Sequence, residues 1–309
     1  MTSRSYAYDA ALRQAGLDVV RGTPAHDLDE LRPALAAAVA WIAGTGPVTD
    51  AHLAAAPALR VLARYGVGVD AVDLGAAARR GVAVTNTPGA NADAVADLAV
   101  ALLLAALRGV VPGDRGVRAG DWRTRRGREL GPLTVGLVGY GRIGRGVARR
   151  LAGFGTRVLA YDPYAADAGS GMDELLRASD AISLHAPGGV RIVDGAWLRR
   201  VRPGAVLVNT ARADLVDEDA VAAALRDGRL AAYAADTLTG ENGAHTGPLL
   251  AADLADRVIV TPHVGAQTAE SVERMGRAAT DAVLDVLAGR DPAHPVTARG
   301  TDDAARAGR

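Results

Sequence analysis

The stretch VGLVGYGRIGRGVARRLAGFGTRVLAYDPY, residues 135–164, leaves the chain few folds to choose from. An apolar run ends in Gly139, Gly141 and Gly144, spaced GxGxxG, and a helical pattern starts at once. The first glycine permits a sharp turn, the second lets a pyrophosphate approach the backbone, and the third lets helix and strand pack closely. Amides at the helix start would face the phosphates, helped by the helix dipole. Asp162 ends the next apolar run. A carboxylate there accepts hydrogen bonds from both ribose hydroxyls and repels a 2′-phosphate, so NAD is expected and NADP disfavoured. In a chain with 37 glycines the spacing alone says little, but here it lies between a strand pattern and a helix pattern.

Around this unit the chain alternates short β-rich runs with helical ones. LTVGLV (133–138), RVLAY (157–161), AISL (181–184), AVLVN (205–209), LAAYAA (230–235) and RVIVT (257–261) read as strands. They are apolar throughout, as strands covered on both faces must be. Helical runs such as IGRGVARRLAGF and DEDAVAAALRDG lie between them, which predicts an α/β fold with a doubly wound parallel sheet. In the first hundred residues LDVV (17–20), AVAWIA (38–43), LRVLAR (59–64) and VAVTN (82–86) are strand candidates for a smaller α/β unit, with SRSYAYD a poor first strand. AESVERMGRAATDAVLDVLAGR (269–290) reads as one long helix returning to that unit. The expected domains are 1–95 with 272–296 as the small, substrate-binding one and 96–271 as the dinucleotide-binding one. Residues 297–309 read as a disordered tail.

Composition removes other chemistries. The 309 residues carry equal numbers of basic and acidic groups, so no broad basic field invites nucleic acid or an anionic membrane. There is no cysteine, which excludes disulfides, thiolate metal sites and cysteine nucleophiles and fits a cytoplasmic setting. There is no lysine either, which excludes Schiff-base catalysis and the lysine-dependent phosphate loop. No metal-ligand set is expected. The most apolar segment, 94–110, contains Asp97 and is too short for a membrane span.

Ligands of open α/β sheets bind outside the carboxyl ends of the strands. There the sequence places His185, Ala186 and Pro187 after AISL, and Thr210, Ala211 and Arg212 after AVLVN. Asp236 follows LAAYAA, with Glu241 beyond it, and Pro262 and His263 follow RVIVT. A guanidinium, two carboxylates and an imidazole leaving successive strand ends point to a catalytic edge and away from an ordinary turn at Pro262-His263.

In RYGVGVDAVDL, VTNTPGANADAVAD, GLVGYGRIG, VLVNTARADLVDEDAV, AADTLTGE and VIVTPHVGAQTAES, over about residues 59–290, the chain resembles the D-isomer-specific 2-hydroxyacid dehydrogenases, particularly their short phosphoglycerate-dehydrogenase-like members. The resemblance implies a Rossmann-type cofactor domain inserted in a flavodoxin-like substrate domain. It implies hydride transfer between NAD and a D-2-hydroxy acid or 2-oxo acid, 3-phosphoglycerate or a related phospho or phosphono acid among them. Arg212 would hold the substrate carboxylate, His263 would act as acid/base and Glu241 would orient it. Cofactor contacts would fall on Gly139, Gly141, Arg142, Ile143, Gly144, Asp162, Thr87, Pro187, Thr210, Ala211, Asp236 and Gly265. Substrate contacts would come from the loop Gly66-Val67-Gly68, as an amide nest, and from Arg64 toward a distal phosphate, with Arg79 second. The apolar helix after residue 94 and the GDWRTRRG segment resemble the arm through which such proteins form homodimers. Other readings are a glyoxylate or hydroxypyruvate reductase, and a cofactor-sensing corepressor-like binding protein on the same fold. Two features depart from the pattern: HAPGGVRIVDG is shorter than the usual loop after H-x-P and lacks its Thr, and Asp214 stands beside Arg212 where small residues are usual.

Overall fold

The computed structural model describes residues 6–23, 25–241 and 246–297. Most of the sequence expected in the disordered tail therefore lies outside the described residues. Contacts divide the chain into two compact units, one of residues up to Asn91 together with those from Ala266, the other Ala92–Gly265.

In the first unit, β1 (Ala40–Ala43), β2 (Val61–Arg64) and β3 (Ala83–Thr85) run parallel in that order. Val61 and Ala63 of β2 face Leu12, Ala279 and Val283, while Leu62 joins Leu31, Leu53 and Val84 on the other side. The helix Ala269–Leu287 supplies Ala279 and Val283, and Thr268 caps it by accepting from the amide of Ser271 at 3.1 Å. Residues 17–20, expected as a strand, form none: Leu17 and Val19 rest on the core, but Val20 is 64% exposed and the run pairs with no neighbouring strand. Four residues with alternating exposure carry too little ladder to nucleate a sheet edge without a partner. Tyr6–Asp9, the end of the SRSYAYD run read as a poor first strand, instead opens the helix Tyr6–Gln14.

The second unit holds β4 (Thr134–Val138), β5 (Arg157–Tyr161), β6 (Ala181–Leu184), β7 (Ala205–Asn209), β8 (Leu230–Ala235) and β9 (Val258–Val260). All pair in parallel in the order β5-β4-β6-β7-β8-β9. Side chains alternate between two cores. Val135, Leu137, Val206, Val208 and Ala234 meet the helix Ala92–Arg108, and Ile182, Leu184, Leu207, Tyr233 and Ala235 meet the opposite layer. Gly136 is explained by this packing: a Cβ there would lie 2.6 Å from Leu175 Cδ2 and from Ser179 Oγ. The fold is a Rossmann-type doubly wound sheet. The chain passes from β4 to β5 on one side and then crosses to β6 on the other, so the order reverses between β4 and β6 and opens a crevice at their carboxyl ends.

In the first unit a final strand, β10 (Pro295–Val296), adds antiparallel to β3. Neither its Pro nor its length signals a strand in the sequence. No single helix among the described residues is long and apolar enough to cross a membrane.

Candidate active site

The crevice between β4 and β6 is built by glycine. Gly139 takes φ +96°, which L side chains rarely adopt, and a Cβ on it would strike the His185 backbone at 2.5 Å. A Cβ on Gly144 would lie 2.3 Å from the Gly139 carbonyl oxygen, so the helix Arg142–Ala152 can sit on the turn only because residue 144 has none. A Cβ on Gly141 meets nothing within 4 Å. The middle glycine thus faces open space at a helix start, the room a diphosphate requires. Arg142 and Ile143 open that helix, and Ile143 packs on the core behind it. Asp162 accepts from the Tyr140 amide at 2.7 Å and from the Tyr164 amide at 2.8 Å. Each oxygen keeps a lone pair, so the carboxylate ties down the glycine turn and can still accept from a ribose.

Beyond β7, Asn209 shapes the turn. Its Oδ1 accepts from the Ala211 amide at 3.0 Å and its Nδ2 donates to the Arg212 carbonyl at 2.8 Å. Thr210 Oγ1 is buried without a partner among the described residues, so a hydroxyl at the strand end awaits one. Pro187 lies exposed in the loop after β6.

Asp236, 3% exposed at the end of β8, organises the segment after β9. Its Oδ1 accepts from Thr261 Oγ1 and from the Val264 amide at 2.9 Å, its Oδ2 from the Gly265 amide at 2.8 Å, and its carbonyl from the His263 amide at 3.0 Å. Three of about four acceptor sites are filled, which leaves one on Oδ2. Gly265 belongs to this clamp, since a Cβ there would lie 2.9 Å from Asp236 Oδ2. The clamp holds His263 at φ +51°, a left-handed conformation costly for a side-chain-bearing residue. The imidazole therefore does not follow the strand direction. It turns so that Nδ1 lies 2.7 Å from Glu241 Oε1, with His263 left 42% exposed. That hydrogen bond raises the His263 pKa; burial opposes it, the Glu241 and Asp236 charges add to it, and Arg212 offsets part.

His185, at the end of β6, keeps both ring nitrogens shut off from solvent and without partners among the described residues. Burial pushes its pKa down to about 4, so it is neutral at pH 7.

The remaining expected residues lie in the first unit. The carbonyls of the loop after β2 are all taken: Gly66 by the Thr87 amide at 3.0 Å, Val67 by Asn86 Nδ2 at 2.8 Å, and Gly68 by Arg64 Nε at 3.1 Å. For the amides of Gly66, Val67 and Gly68 no acceptor is found among the described residues. Arg64, read above as a ligand for a distal phosphate, is 6% exposed and also donates to the carbonyls of Gly44 and Gly46. Its guanidinium is turned into the unit as scaffolding for the loop. Arg79 pairs with Asp50 at 3.2 Å on the surface.

Sequence reasoning passed over Asn209 and Thr261. A polar residue closing an otherwise apolar strand, as in AVLVN and VIVT, was the available signal.

Residues 100–265 match the model of the D-isomer specific 2-hydroxyacid dehydrogenase, NAD binding domain, family. The D-3-phosphoglycerate dehydrogenase of Mycobacterium leprae is 41% identical over 284 residues, covering 87% of this chain and 53% of that protein. The chain thus spans about half the length of that relative. The glyoxylate reductase of Korarchaeum cryptofilum is 37% identical over 80% of this chain and 79% of its own length. Among solved structures, D-lactate dehydrogenase from Aquifex aeolicus, complexed with NAD and lactic acid, superposes with a TM-score of 0.81 at 28% identity, covering 93% of this chain and 94% of that one.

Proposed function

Because the chain belongs to the D-isomer specific 2-hydroxyacid dehydrogenase family, we propose that it is an NAD-dependent oxidoreductase interconverting a D-2-hydroxy acid and its 2-oxo acid. The observation that carries this reading is the His263–Glu241 pair, 2.7 Å apart, at the edge where the glycine turn leaves room for a dinucleotide.

Gly139, Gly141, Gly144, the amides of Arg142 and Ile143, and Asp162 would hold the cofactor, with Thr210, Ala211, Pro187, Gly265 and the open lone pair of Asp236 toward its nicotinamide half. Bound NAD supplies or accepts the hydride. With Nδ1 committed to Glu241, Nε2 of His263 is the nitrogen that gives a proton to the developing alkoxide in reduction and takes the hydroxyl proton in oxidation. Glu241 keeps the ring oriented and favours imidazolium, the form that reduction needs. Arg212 offers a planar fork to a carboxylate and polarises the adjacent carbonyl, a geometry lysine lacks. The amide nest at Gly66-Val67-Gly68 suits a carboxylate without adding charge.

Substrate size follows from Arg64. A guanidinium already engaged with three carbonyls is a poor ligand for a distal phosphate, which favours small 2-oxo acids such as glyoxylate or hydroxypyruvate over phosphorylated ones. The carboxylate of Asp162 opposes a 2′-phosphate, which favours NAD over NADP. A homodimer in the cytoplasm completes the reading; Val110, Val111, Val117 and Trp122 expose 56%, 41%, 43% and 80% of their surface, apolar area of the kind an interface covers.

The test is NADH oxidation with a panel of 2-oxo acids, with and without a phosphate group, in wild type and His263→Ala. Turnover of small acids that is lost in the variant is expected. Absence of turnover alongside tight NADH binding would instead favour the cofactor-sensing alternative.

A further inference from the structure

The shortened loop after β6 and the unusual Asp214 meet in the structure. Asp214 Oδ2 accepts from the Gly189 amide at 2.6 Å. Gly189 takes φ +99°, so this turn is open to glycine and strained for other residues. A Cβ built on Gly188 would lie 3.0 Å from Arg212 Cγ and 3.0 and 3.2 Å from the two carboxylate oxygens of Asp214. The bare backbone of residue 188 therefore lies directly against the stem of Arg212. Farther on, the loop is pinned to the segment following Arg212: the amides of Ile192 and Val193 both donate to the Leu215 carbonyl at 2.9 Å, and the Asp217 amide donates to the Val193 carbonyl at 2.8 Å. The backbone of Arg212 is held separately by Asn209 Nδ2.

From this we propose that Asp214 is a positioning residue: it latches the loop 187–190 onto the side chain of Arg212 and so sets the direction of the guanidinium. The proposal rests on the reading of Arg212 as the substrate-carboxylate ligand. An Arg side chain has four rotatable bonds between Cα and the fork; Asn209 restrains the backbone, and at the tip Nη1 donates to the Ala211 carbonyl at 2.9 Å, which leaves the stem between them to be held. Contact at Cγ removes freedom at the base of the stem, where a small rotation moves the fork farthest. The loop cannot supply that wall unaided, because two consecutive glycines make it among the least stiff stretches a chain can have. One carboxylate hydrogen bond to the middle of the loop removes most of that freedom. Asp214 also lies near the stem of Arg212, where a bare carboxylate would oppose a substrate carboxylate. Accepting a short amide bond draws its charge toward the loop.

The test separates a latch from a charge. Asp214→Asn keeps an acceptor oxygen of the same shape without the charge, and Asp214→Ala removes both. Asp214→Ala is expected to lower kcat/KM for the 2-oxo acid at least tenfold, with KM rising. Asp214→Asn is expected within about threefold of wild type, and Gly188→Ala to behave like Asp214→Ala, since its methyl wedges the loop off Arg212. Hydrogen exchange at the Gly189 amide is expected to accelerate in Asp214→Ala while the thermal midpoint stays put. Wild-type activity in Asp214→Ala, a fall in KM in both Asp214 variants, or unaltered exchange at Gly189 would overturn the proposal. A wild type that reduces no 2-oxo acid overturns the reading of Arg212 instead, and the exchange measurement still decides whether the latch exists.

Discussion

Gly141 and Gly144 are three residues apart on the same turn, yet alanine at each should produce opposite signatures. At Gly144 a methyl would lie 2.3 Å from the Gly139 oxygen, where ordinary contact begins at 3.4 Å, so helix and turn must separate by 3.4 − 2.3 = 1.1 Å. Alanine inside a helix is worth ~1 kcal/mol over glycine, whereas forcing a methylene into a packed contact costs roughly 1–3 kcal/mol. The net is a loss of about 0–2 kcal/mol. The amides that would hold the diphosphate move by the same 1.1 Å, which forfeits at least one charge-assisted hydrogen bond, about 1.5–3 kcal/mol or roughly 10- to 150-fold in affinity. At Gly141 the backbone, φ −77° and ψ −158°, is open to alanine and its methyl meets nothing. Stability should stay level or rise by about 0.4–1 kcal/mol through the unfolded state, while the methyl occupies the space the diphosphate needs. Urea denaturation and calorimetric titration with NAD measure both effects. Gly141→Ala is expected to fold at least as well as wild type and to lose NAD affinity tenfold or more; Gly144→Ala is expected to lose in both assays. Undiminished NAD binding by Gly141→Ala would refute the assignment of this turn to a dinucleotide.

Three further outcomes follow from the charges. Burial at 3% exposure pushes His26 from 6.5 down to about 4. Its neutral form is the folded one, so it costs nothing above pH 6.5 and removes stability as pH falls from there toward 4. By pH 4.5 the cost is about 2–3 kcal/mol; urea midpoints at pH 7.5 and 4.5 should therefore converge in His26→Asn, which tolerates the left-handed backbone at φ +56°, and equal pH dependence in both proteins would contradict it. Glu241→Gln removes the largest influence raising the His263 pKa, so the pH above which reduction declines should move downward while oxidation holds at lower pH; rate profiles in both directions read this, and an unmoved profile would sever the pair from the chemistry. Asp162→Ala should narrow the preference for NADH over NADPH at least tenfold by removing the charge opposed to a 2′-phosphate, at some cost in stability because the Tyr140 and Tyr164 amides lose their acceptor; an unaltered cofactor ratio would show that another group discriminates.

Much of this protein could be read from local pattern. Strands buried on both faces must be apolar at every position, so β4 to β8 stand out as short runs whose ends fall within a residue or so of those observed. Which residues leave the carboxyl ends of β6 to β9 follows from those boundaries; the pairing of Glu241 with His263 was implied by the family resemblance and not by the strand pattern. LDVV misled because its composition suits a strand while the sheet provides it no partner, and β10 escaped because two residues paired only with β3 leave no periodic trace.

What tertiary structure alone decided is how the polar groups within each unit are satisfied. Asp236 gathers three donors from the segment beyond β9 and bends His263 into a left-handed turn; Arg64 turns inward to carbonyls; Asp214 closes on Gly189. Hydrophobic burial repeats along the chain and can be counted there. A buried hydrogen bond is made between loops that meet only once the sheet is assembled, and its partner is set by tenths of an ångström that no periodicity in the sequence encodes.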